Sequence, residues 1–296
     1  MTTYDARYSE RIEQPGHTRR ATVIRADDGR ELSGTWFRPT GDVRGAVVLA
    51  PAMATPAVFY GAFASWLASS GFATLTFDYR GTGGPAEMRA ERGDLIRWAG
   101  DAASALETLL DDVPDGVPVT WLGHSLGGQI LPWARHDLID RALLIASSLG
   151  YWRWNQPAIR WRSPLLFRVI APVSIRVAGY YPGKRLGILG DVPPNVMRQW
   201  ARWCLSPAYF GVDVPDVAAR AAEVTVPIDT ISFTDDELLA LRSNQELEKL
   251  YAGATVGPLR VAPADVGVER IGHHGFFRAP MQPLWESLVL PRLAAA

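Results

Sequence analysis

The sequence predicts an α/β protein: a doubly wound, mostly parallel sheet with an antiparallel N-terminal hairpin and an inserted helical cap. Apolar strands alternate with helical segments along most of the chain, a β-rich hairpin comes before them, and the alternation stops between Gly150 and Ala222. Strands of a parallel sheet are buried on both faces, so they read as unbroken apolar runs. With 296 residues, 48% of them hydrophobic, the chain can bury a large core.

The N-terminal part of the chain supplies the hairpin and the first helix. Residues 21–39 contain two β-rich segments around an Asp-Asp-Gly sequence, whose residues tolerate the positive φ of a tight turn. The first helix is expected to run to about Ser70, with Thr55 as its N-cap and Pro56 as its first helical residue.

The later elements follow from apolar runs and from helical spacing. In the helix predicted at 94–110, apolar residues recur every three or four positions, as on one face of an amphipathic helix. The predicted strands are 45–52, 72–78, 117–123, 141–147, 226–233 and 258–263, and further helices are expected from 125, at 242–251 and at 281–293. This order predicts a core domain of residues 1–149 and 223–296 and a helical cap, or lid, of residues 150–222.

Composition excludes several functional classes. Thirty basic and thirty-one acidic residues give a net charge of −1, so there is no overall electrostatic case for nucleic acid binding. Cys204 is the only cysteine, which rules out an intramolecular disulfide and a cysteine-based zinc site. No metal or dinucleotide motif is evident, so no cofactor is expected. Without a secretory signal or an apolar stretch of membrane-spanning length, we expect a cytoplasmic protein that is not inserted in a membrane. The oligomeric state stays open.

One motif with chemical meaning lies between a predicted strand and a predicted helix. Residues 123–127, GHSLG, fit the pattern G-x-S-x-G, in which two glycines give space to a sharp turn that exposes the serine hydroxyl. Ser125 is therefore a candidate nucleophile. The alternative is an ordinary strand-to-helix turn with a capping serine.

A nucleophilic serine needs a histidine to take its proton and a carboxylate to orient that histidine. On a doubly wound sheet these should follow the serine in the order acid, then histidine. Asp235 and Asp236 come directly after a predicted strand, and His273 and His274 lie near the C-terminus, so both follow in this order. The acids could instead cap a helix, and the histidines could be polar loop residues.

These motifs resemble those of the α/β-hydrolase superfamily. The similar segments are GHSLGG, TISFTDDE and GHHGFF, together with GYWRW, GYYPGKRLG and QWARWCLSPAY, which resemble a subgroup of bacterial predicted α/β-hydrolases near the serine aminopeptidases and monoglyceride-lipase-like hydrolases. The resemblance covers nearly the whole chain beyond its first twenty or so residues. It implies the α/β-hydrolase fold and a serine hydrolase mechanism, and leaves the substrate undefined.

The resemblance assigns roles to individual positions. Ser125 matches the nucleophile and His273 matches the base, because it directly follows the glycine of the family's Gly-His pair. The family's acid usually lies four residues before a proline; Ala240 stands there in this chain, so Asp236 is preferred and Asp235 stays an alternative. His124 is expected to pack or bond locally.

Acyl transfer also needs donors for the developing oxyanion. The backbone N–H of Leu126, directly after the nucleophile, should be one donor, and that of Met53, after the Pro51-Ala52 pair, should be the other. The expected reaction is hydrolysis of an ester, thioester or amide of a small apolar or amphipathic acyl compound through an acyl-enzyme. An acyltransferase or cyclase with the same triad, or a binding module without catalysis, are the alternatives.

The predicted cap is aromatic and basic. Its tryptophans could form the wall of an acyl pocket, although they could equally pack the cap onto the core; the candidates are Trp152, Trp154, Trp200 and Trp203. Residues 151–210 contain nine Lys or Arg and one acid, Asp191. Such a charge could steer an anionic substrate or touch an anionic membrane surface peripherally, or it could belong to solvated helices.

Overall fold

The computed structural model describes residues 12–14 and 16–294, and their strands form a single twisted sheet. The described sheet has nine strands in the order β1-β2-β3-β5-β4-β6-β7-β8-β9. The strands are β1 (Ile12–Gln14), β2 (His17–Arg25), β3 (Glu31–Pro39), β4 (Gly45–Ala50), β5 (Phe72–Phe77), β6 (Val119–His124), β7 (Arg141–Ile145), β8 (Ile228–Phe233) and β9 (Val256–Val261).

The strand directions follow the predicted pattern. β1, β2 and β3 pair antiparallel with one another, and β3 pairs antiparallel with β5. All other neighbours, from β5 through β4 and β6 to β9, are parallel. β4, β5 and β6 are buried along their entire length, as expected for strands covered on both faces. The carboxyl ends of the parallel strands therefore lie along one edge, which is where ligands bind on such sheets.

The helices are short apart from α3 and α9. They are α1 (Gly61–Ser69), α2 (Pro85–Ala90), α3 (Leu95–Leu110), α4 (Leu126–Gln129), α5 (Pro157–Arg160), α6 (Ser163–Leu165), α7 (Ala171–Ala178), α8 (Gly183–Leu186), α9 (Pro194–Leu205), α10 (Val217–Ala222), α11 (Leu241–Leu250), α12 (Gly272–Gly275), α13 (Gln282–Leu288) and α14 (Leu290–Ala294). None of the described helices is long and apolar enough to cross a membrane.

The sheet separates two hydrophobic clusters. In β4, Val47 and Leu49 join a cluster with α1, α13 and α14, while Val48 and Ala50 join the cluster on the other face with α3, α9, α10 and α11. Successive side chains of a strand point to opposite faces, so one apolar run supplies both clusters. This is the doubly wound arrangement expected from the sequence.

Three helices differ from their prediction. Thr55 is not a helix N-cap; the first helix begins as a 3₁₀ turn at Ala57, whose N–H donates to Asp78 Oδ1 at 2.7 Å. The helix after Ser125 has only four residues, because two glycines and then Pro132 disfavour its continuation. The C-terminal helix is divided into α13 and α14 next to Pro291, which has no N–H for a helical bond.

The segment of residues 150–222 was predicted as the cap. It contains α5 to α10, and within the described chain none of its residues belongs to the sheet; its only strand-like feature is a bridge between Tyr181 and Val192. Buried residues of this segment, such as Phe167 and Trp203, share the cluster of α3. The segment therefore packs against the rest of the chain through apolar contacts in this cluster.

Candidate active site

Ser125 lies in a strained turn between β6 and α4. Its φ of 51° and ψ of −107° fall outside the regions that non-glycine residues usually adopt. A Cβ on Gly127 would overlap the carbonyl oxygen of Ala50, and a Cβ on Gly123 would lie 2.5 Å from the nitrogen of Gly128. Only glycine fits at these two positions, so the turn has the close packing that the G-x-S-x-G pattern predicted.

His273 and Asp236 form a buried hydrogen-bonded pair. His273 Nδ1 lies 2.7 Å from Asp236 Oδ2, and both side chains are almost fully buried. The other carboxylate oxygen, Oδ1, accepts from the backbone N–H groups of Leu238 and Leu239 at 2.8 and 2.9 Å. Because Asp236 can only accept in its ionised form, the His273 Nδ1–H donates to it, which leaves Nε2 of the neutral ring as a proton acceptor.

The two acids beside Asp236 bind backbone groups of the histidine loop. Asp235 Oδ2 accepts from the N–H groups of Ile271 and Gly272 at 2.8 and 3.1 Å, and Glu237 Oε2 accepts from the N–H of His273 at 3.1 Å. Sequence reasoning left Asp235 and Asp236 as alternatives for the acid. The structure places Asp236 at the imidazole ring and Asp235 at the backbone of the same loop.

Ser125 and His273 line the same cavity. Within the described residues no hydrogen bond joins the Ser125 hydroxyl to the His273 ring. In unliganded active sites such bonds are often long and tighten only when the substrate binds. The arrangement thus brings together the three side chains that the sequence placed far apart along the chain.

Two residues that line the cavity supply candidate oxyanion donors through their backbone N–H groups. Leu126 is the first residue of α4, so its N–H has no acceptor inside the helix. After β4, Pro51 has no N–H, and the N–H of Ala52 donates to the hydroxyl of Tyr60 at 2.9 Å. Within the described residues, Met53 is the first residue after the strand whose N–H has no hydrogen-bond partner, and both Met53 and Leu126 line the cavity.

His124 connects this oxyanion loop to the histidine loop. Burial lowers the pKa of His124 well below its usual value, and the neighbouring His273 lowers it further, so the ring is neutral. Its Nε2–H donates to the carbonyl of His273 at 3.1 Å, so Nδ1 accepts from the Tyr60 hydroxyl at 2.7 Å. Since Tyr60 also accepts from Ala52, one chain of hydrogen bonds links Ala52 to the backbone of His273.

His274 makes a second link between the same loops. Thr55 Oγ1 donates to the carbonyl of Met53 at 3.2 Å and so accepts from His274 Nε2 at 3.3 Å. Burial, followed by the proximity of His273, lowers the pKa of His274 to about 4. Sequence reasoning gave Tyr60 no role and gave Thr55 only that of a helix N-cap. The one signal was His124 in the elbow, because a buried histidine needs hydrogen-bond partners.

The cavity itself is apolar and measures about 180 Å³. The core contributes Ser125, His273 and the oxyanion loop, while the cap contributes apolar side chains that include Phe167 and Trp200. Its few polar groups include Gln129, whose Oε1 accepts from the hydroxyl of Tyr209 at 3.0 Å. Among the described residues that line it there is no Asp, Glu, Lys or Arg, and burial lowers the pKa of the lining His274.

Of the four tryptophans proposed for substrate binding, only Trp200 lines this cavity. Trp203 is fully buried in the core, where its Nε1–H donates to Asp213 Oδ2 at 2.8 Å. Trp152 and Trp154 pack against Tyr151. These three side chains are therefore not among the residues that line the cavity, and these contacts are with other residues of the segment 150–222.

The described residues contain no group of three or more His, Cys, Asp or Glu side chains that could hold a metal ion. Cys204, which lines the cavity, is fully buried, and burial raises the pKa of its thiol. It therefore stays protonated and acts as a small apolar group at the cavity wall.

Comparison with known proteins shows which sequences and structures this chain is similar to. Residues 41–179, a little under half of the chain, match the family described as serine aminopeptidase, S33. This segment includes Ser125 and ends before Asp236 and His273. No curated protein matches the chain in sequence.

Solved structures of low sequence identity match the fold along nearly the whole chain. A cold-adapted esterase from an Arctic intertidal metagenomic library, in complex with polyethylene glycol, is 17% identical, with a TM-score of 0.54 over 97% of this chain and 99% of the esterase. DcsB in complex with its substrate analogue is 15% identical, with a TM-score of 0.62 over 94% of this chain and 100% of that one.

A third structure is larger than this chain. Acylaminoacyl peptidase from Pyrococcus horikoshii is 16% identical, with a TM-score of 0.56 over 92% of this chain and 40% of the peptidase. At these identities the structural matches establish the fold, and the family match connects that fold to a hydrolase sequence pattern. The chain therefore has the α/β-hydrolase fold, and a little under half of its sequence is similar to the family described as serine aminopeptidase, S33.

Proposed function

We propose that the protein is a serine hydrolase that cleaves an ester, thioester or amide of a small apolar acyl compound through a Ser125-His273-Asp236 triad. One observation carries the proposal: His273, held by Asp236 at 2.7 Å, lines the same apolar cavity as Ser125, which is held in a strained turn. Strained backbone at a cavity and a buried carboxylate–imidazole pair are both typical of activated nucleophiles.

In the proposed mechanism, Ser125 Oγ attacks the carbonyl carbon while His273 Nε2 takes the hydroxyl proton. Asp236 stabilises the resulting imidazolium, and the N–H groups of Leu126 and Met53 bind the oxyanion. His273 then gives its proton to the leaving group, and the acyl group stays on Ser125. Water, deprotonated by His273, releases the acid and restores the serine.

The cavity supports an acyl group that is short and uncharged. At ~30 Å³ for each group of the size of a water molecule, a volume of about 180 Å³ holds roughly six non-hydrogen atoms. Its described lining contains no Asp, Glu, Lys or Arg to pair with a charged acyl chain, whose burial without a partner is unfavourable. We therefore expect esters of four to six carbons, as an order of magnitude, to be better substrates than those of long fatty acids.

The first test is covalent labelling with a fluorophosphonate, followed by peptide mass spectrometry. We expect the adduct on Ser125 and its loss in Ser125→Ala. Ser163→Ala is the matched control, because Ser163 lines the same cavity but donates its hydroxyl to the carbonyl of Ile159 at 2.9 Å. An adduct on another residue, or no adduct in folded protein, would contradict the proposed nucleophile.

Kinetics with p-nitrophenyl esters distinguish the two neighbouring acids. Asp236→Asn should lower kcat by about 10⁴-fold, because asparagine favours the wrong histidine tautomer. Asp235→Asn should cost less than about tenfold, since its amide oxygen can still accept from Ile271 and Gly272. Equal losses in the two variants would argue against Asp236 as the acid.

An added alcohol or amine that outcompetes water would indicate an acyltransferase with the same triad.

A further inference from the structure

The outer surface of the cap presents a row of apolar side chains to solvent. Within the helical segment 157–178, every fourth residue of one row is apolar and between 49% and 82% exposed. We call this row the outer cap stripe; its members are Trp161, Leu165, Val169, Val173 and Val177. Contiguous apolar surface of this kind on a folded protein usually marks an interaction site.

The inner row of the same segment shows that the stripe is not misplaced core. Ser163, Phe167, Ala171 and Ile175, also four residues apart, are buried on the opposite side. A four-residue repeat drifts by about 40° per step around a regular α-helix of 3.6 residues per turn. The wider π-helical turn at Leu166–Ile170, next to Pro172, offsets part of that drift and keeps both rows aligned.

The segment that carries the stripe contains basic residues and no acidic ones. Residues 151–190 contain seven Lys or Arg and no Asp or Glu. Among the described residues, none of these seven side chains forms an ion pair, although the backbone N–H of Lys184 donates to Asp191 Oδ1 at 3.0 Å. All but Arg160 are exposed; the seven are Arg153, Arg160, Arg162, Arg168, Arg176, Lys184 and Arg185.

The exposed apolar row and the basic side chains beside it together indicate which partner binds this surface. A second copy packed face to face would oppose seven cations with seven more, and like charges across an interface are strongly unfavourable. An anionic bilayer offers complementary charge for the cations and an apolar interior for tryptophan, leucine and valine. Helices with arginine beside such an apolar row are typical of peripheral membrane attachment.

We propose that the outer cap stripe docks the protein onto the surface of an anionic lipid bilayer. The helical segment would lie in the plane of the interface, with the stripe among the headgroups and its arginines at the phosphates. None of the five stripe residues lines the cavity of Ser125, while Leu166 and Phe167 on the inner side do. Docking would therefore place the cap wall of that cavity next to the lipid, and it does not depend on the proposed hydrolase activity.

The test is sedimentation of the full chain with phosphatidylglycerol vesicles and, separately, with phosphatidylcholine vesicles. We expect binding to phosphatidylglycerol that weakens with added salt. Val173→Asp should weaken it on the order of tenfold, because it removes buried apolar area and adds repulsion. Val23→Asp is the matched control and should leave binding unchanged, since Val23 on β2 is 54% exposed and Val173 is 56% exposed.

Further variants separate charge from apolar contact and docking from catalysis. Arg168→Gln and Arg176→Gln should each weaken binding by about fivefold, the effect expected for one cation near an anionic surface. Ser125→Ala should bind vesicles like the parent protein. Absence of binding, equal binding to both lipids, or equal effects of Val173→Asp and Val23→Asp would overturn the proposal. The proposal would also be overturned if substitutions in the outer cap stripe changed only the oligomeric state.

Discussion

The hydroxyl of Tyr60 forms hydrogen bonds that connect two loops. The proposed reaction depends on the relative position of these loops. It accepts from the N–H of Ala52, in the loop that carries the proposed oxyanion donor, and donates to His124, which holds the carbonyl of His273. Tyr60 is itself fully buried, and burial raises the pKa of its hydroxyl, so it remains a donor at every ordinary pH. A small shift of this hydroxyl would therefore move the donor and the base together.

Replacing Tyr60 with phenylalanine leaves the ring and removes these bonds. We expect Tyr60→Phe to lower the free energy of unfolding by about 1–3 kcal/mol, because buried groups of Ala52 and His124 lose their partner. It should also lower kcat for a p-nitrophenyl ester with little change in KM. Denaturant unfolding and steady-state kinetics measure the two effects.

Tyr180→Phe is the control, since the Tyr180 side chain is nearly buried and its hydroxyl makes no hydrogen bond within the described residues. Similar losses in the two variants would show that the hydrogen bonds of Tyr60 have no special role.

Single residues also show where sequence reasoning ends. The strand-turn-helix setting of Ser125 and the order of the acid and His273 could be read from the chain, because they depend on local pattern. The choice between Asp235 and Asp236 could not. It depends on which carboxylate meets a ring and which meets backbone N–H groups in a loop 36 or 37 residues away. Tyr60 was missed for the same reason, as its partner His124 is 64 residues distant.

At the scale of elements, Arg80 ties three segments together after β5. Its guanidinium binds Asp101 of α3 at 2.6 Å and Asp28 in the β2–β3 turn at 2.6 Å, and it is only 6% exposed. These hydrogen bonds and the charge of Arg80 hold the pKa of Asp28 well below its usual range. The antiparallel hairpin is thereby attached to the parallel part of the sheet by an ion cluster in which Arg80 and Asp101 are buried and Asp28 is exposed.

Removing the positive charge of Arg80 should lower the free energy of unfolding. Arg80→Met leaves the fully buried Asp101 without its partner, and we expect a loss of about 3–5 kcal/mol in the free energy of unfolding. Arg97→Met is the matched control: Arg97 pairs with Asp27 of the same turn at 2.8 Å, but both side chains are exposed, so less than about 1 kcal/mol should be lost. Urea unfolding of the two variants measures the difference, and similar losses would contradict a structural role for burial of the cluster.

The strands were predicted well, because apolar runs define them. The ends of helices were predicted less well, because they depend on capping residues and on glycine and proline. All eight predicted strands recur in the sheet, and the clearest of them, β4, β5 and β6, are buried on both faces, which leaves an unbroken apolar run. The short α4 and the interrupted C-terminal helix were not predicted, because glycine and proline shift the balance locally. The positions of the tryptophan side chains of residues 150–222 depend on tertiary packing, which cannot be read from their spacing along the chain.

At the scale of the whole molecule, two neutral histidines beside His273 make the stability of the folded state depend on pH. Burial lowers the pKa of His274 to about 4 and that of His124 well below the usual value. In the unfolded chain both rings would titrate near pH 6.5. As the pH falls below that value, the unfolded state binds protons that the folded state does not, so folding becomes less stable. Above it neither state binds them, and the stability is fully retained. Neutral rings at these positions also spare the proposed His273 imidazolium two repulsive neighbours.

His274→Gln tests this linkage because glutamine does not titrate and its amide can still donate to Thr55. We expect the free energy of unfolding of the parent protein to fall between pH 6.5 and about 4, and the fall to be smaller in His274→Gln by roughly 2–3 kcal/mol. Urea unfolding at a series of pH values measures both curves. His136→Gln, in the surface turn His136–Leu138, is the control and should follow the parent curve. Parallel curves for His274→Gln and the parent would mean that the ring takes up its proton in the folded state as readily as in the unfolded chain.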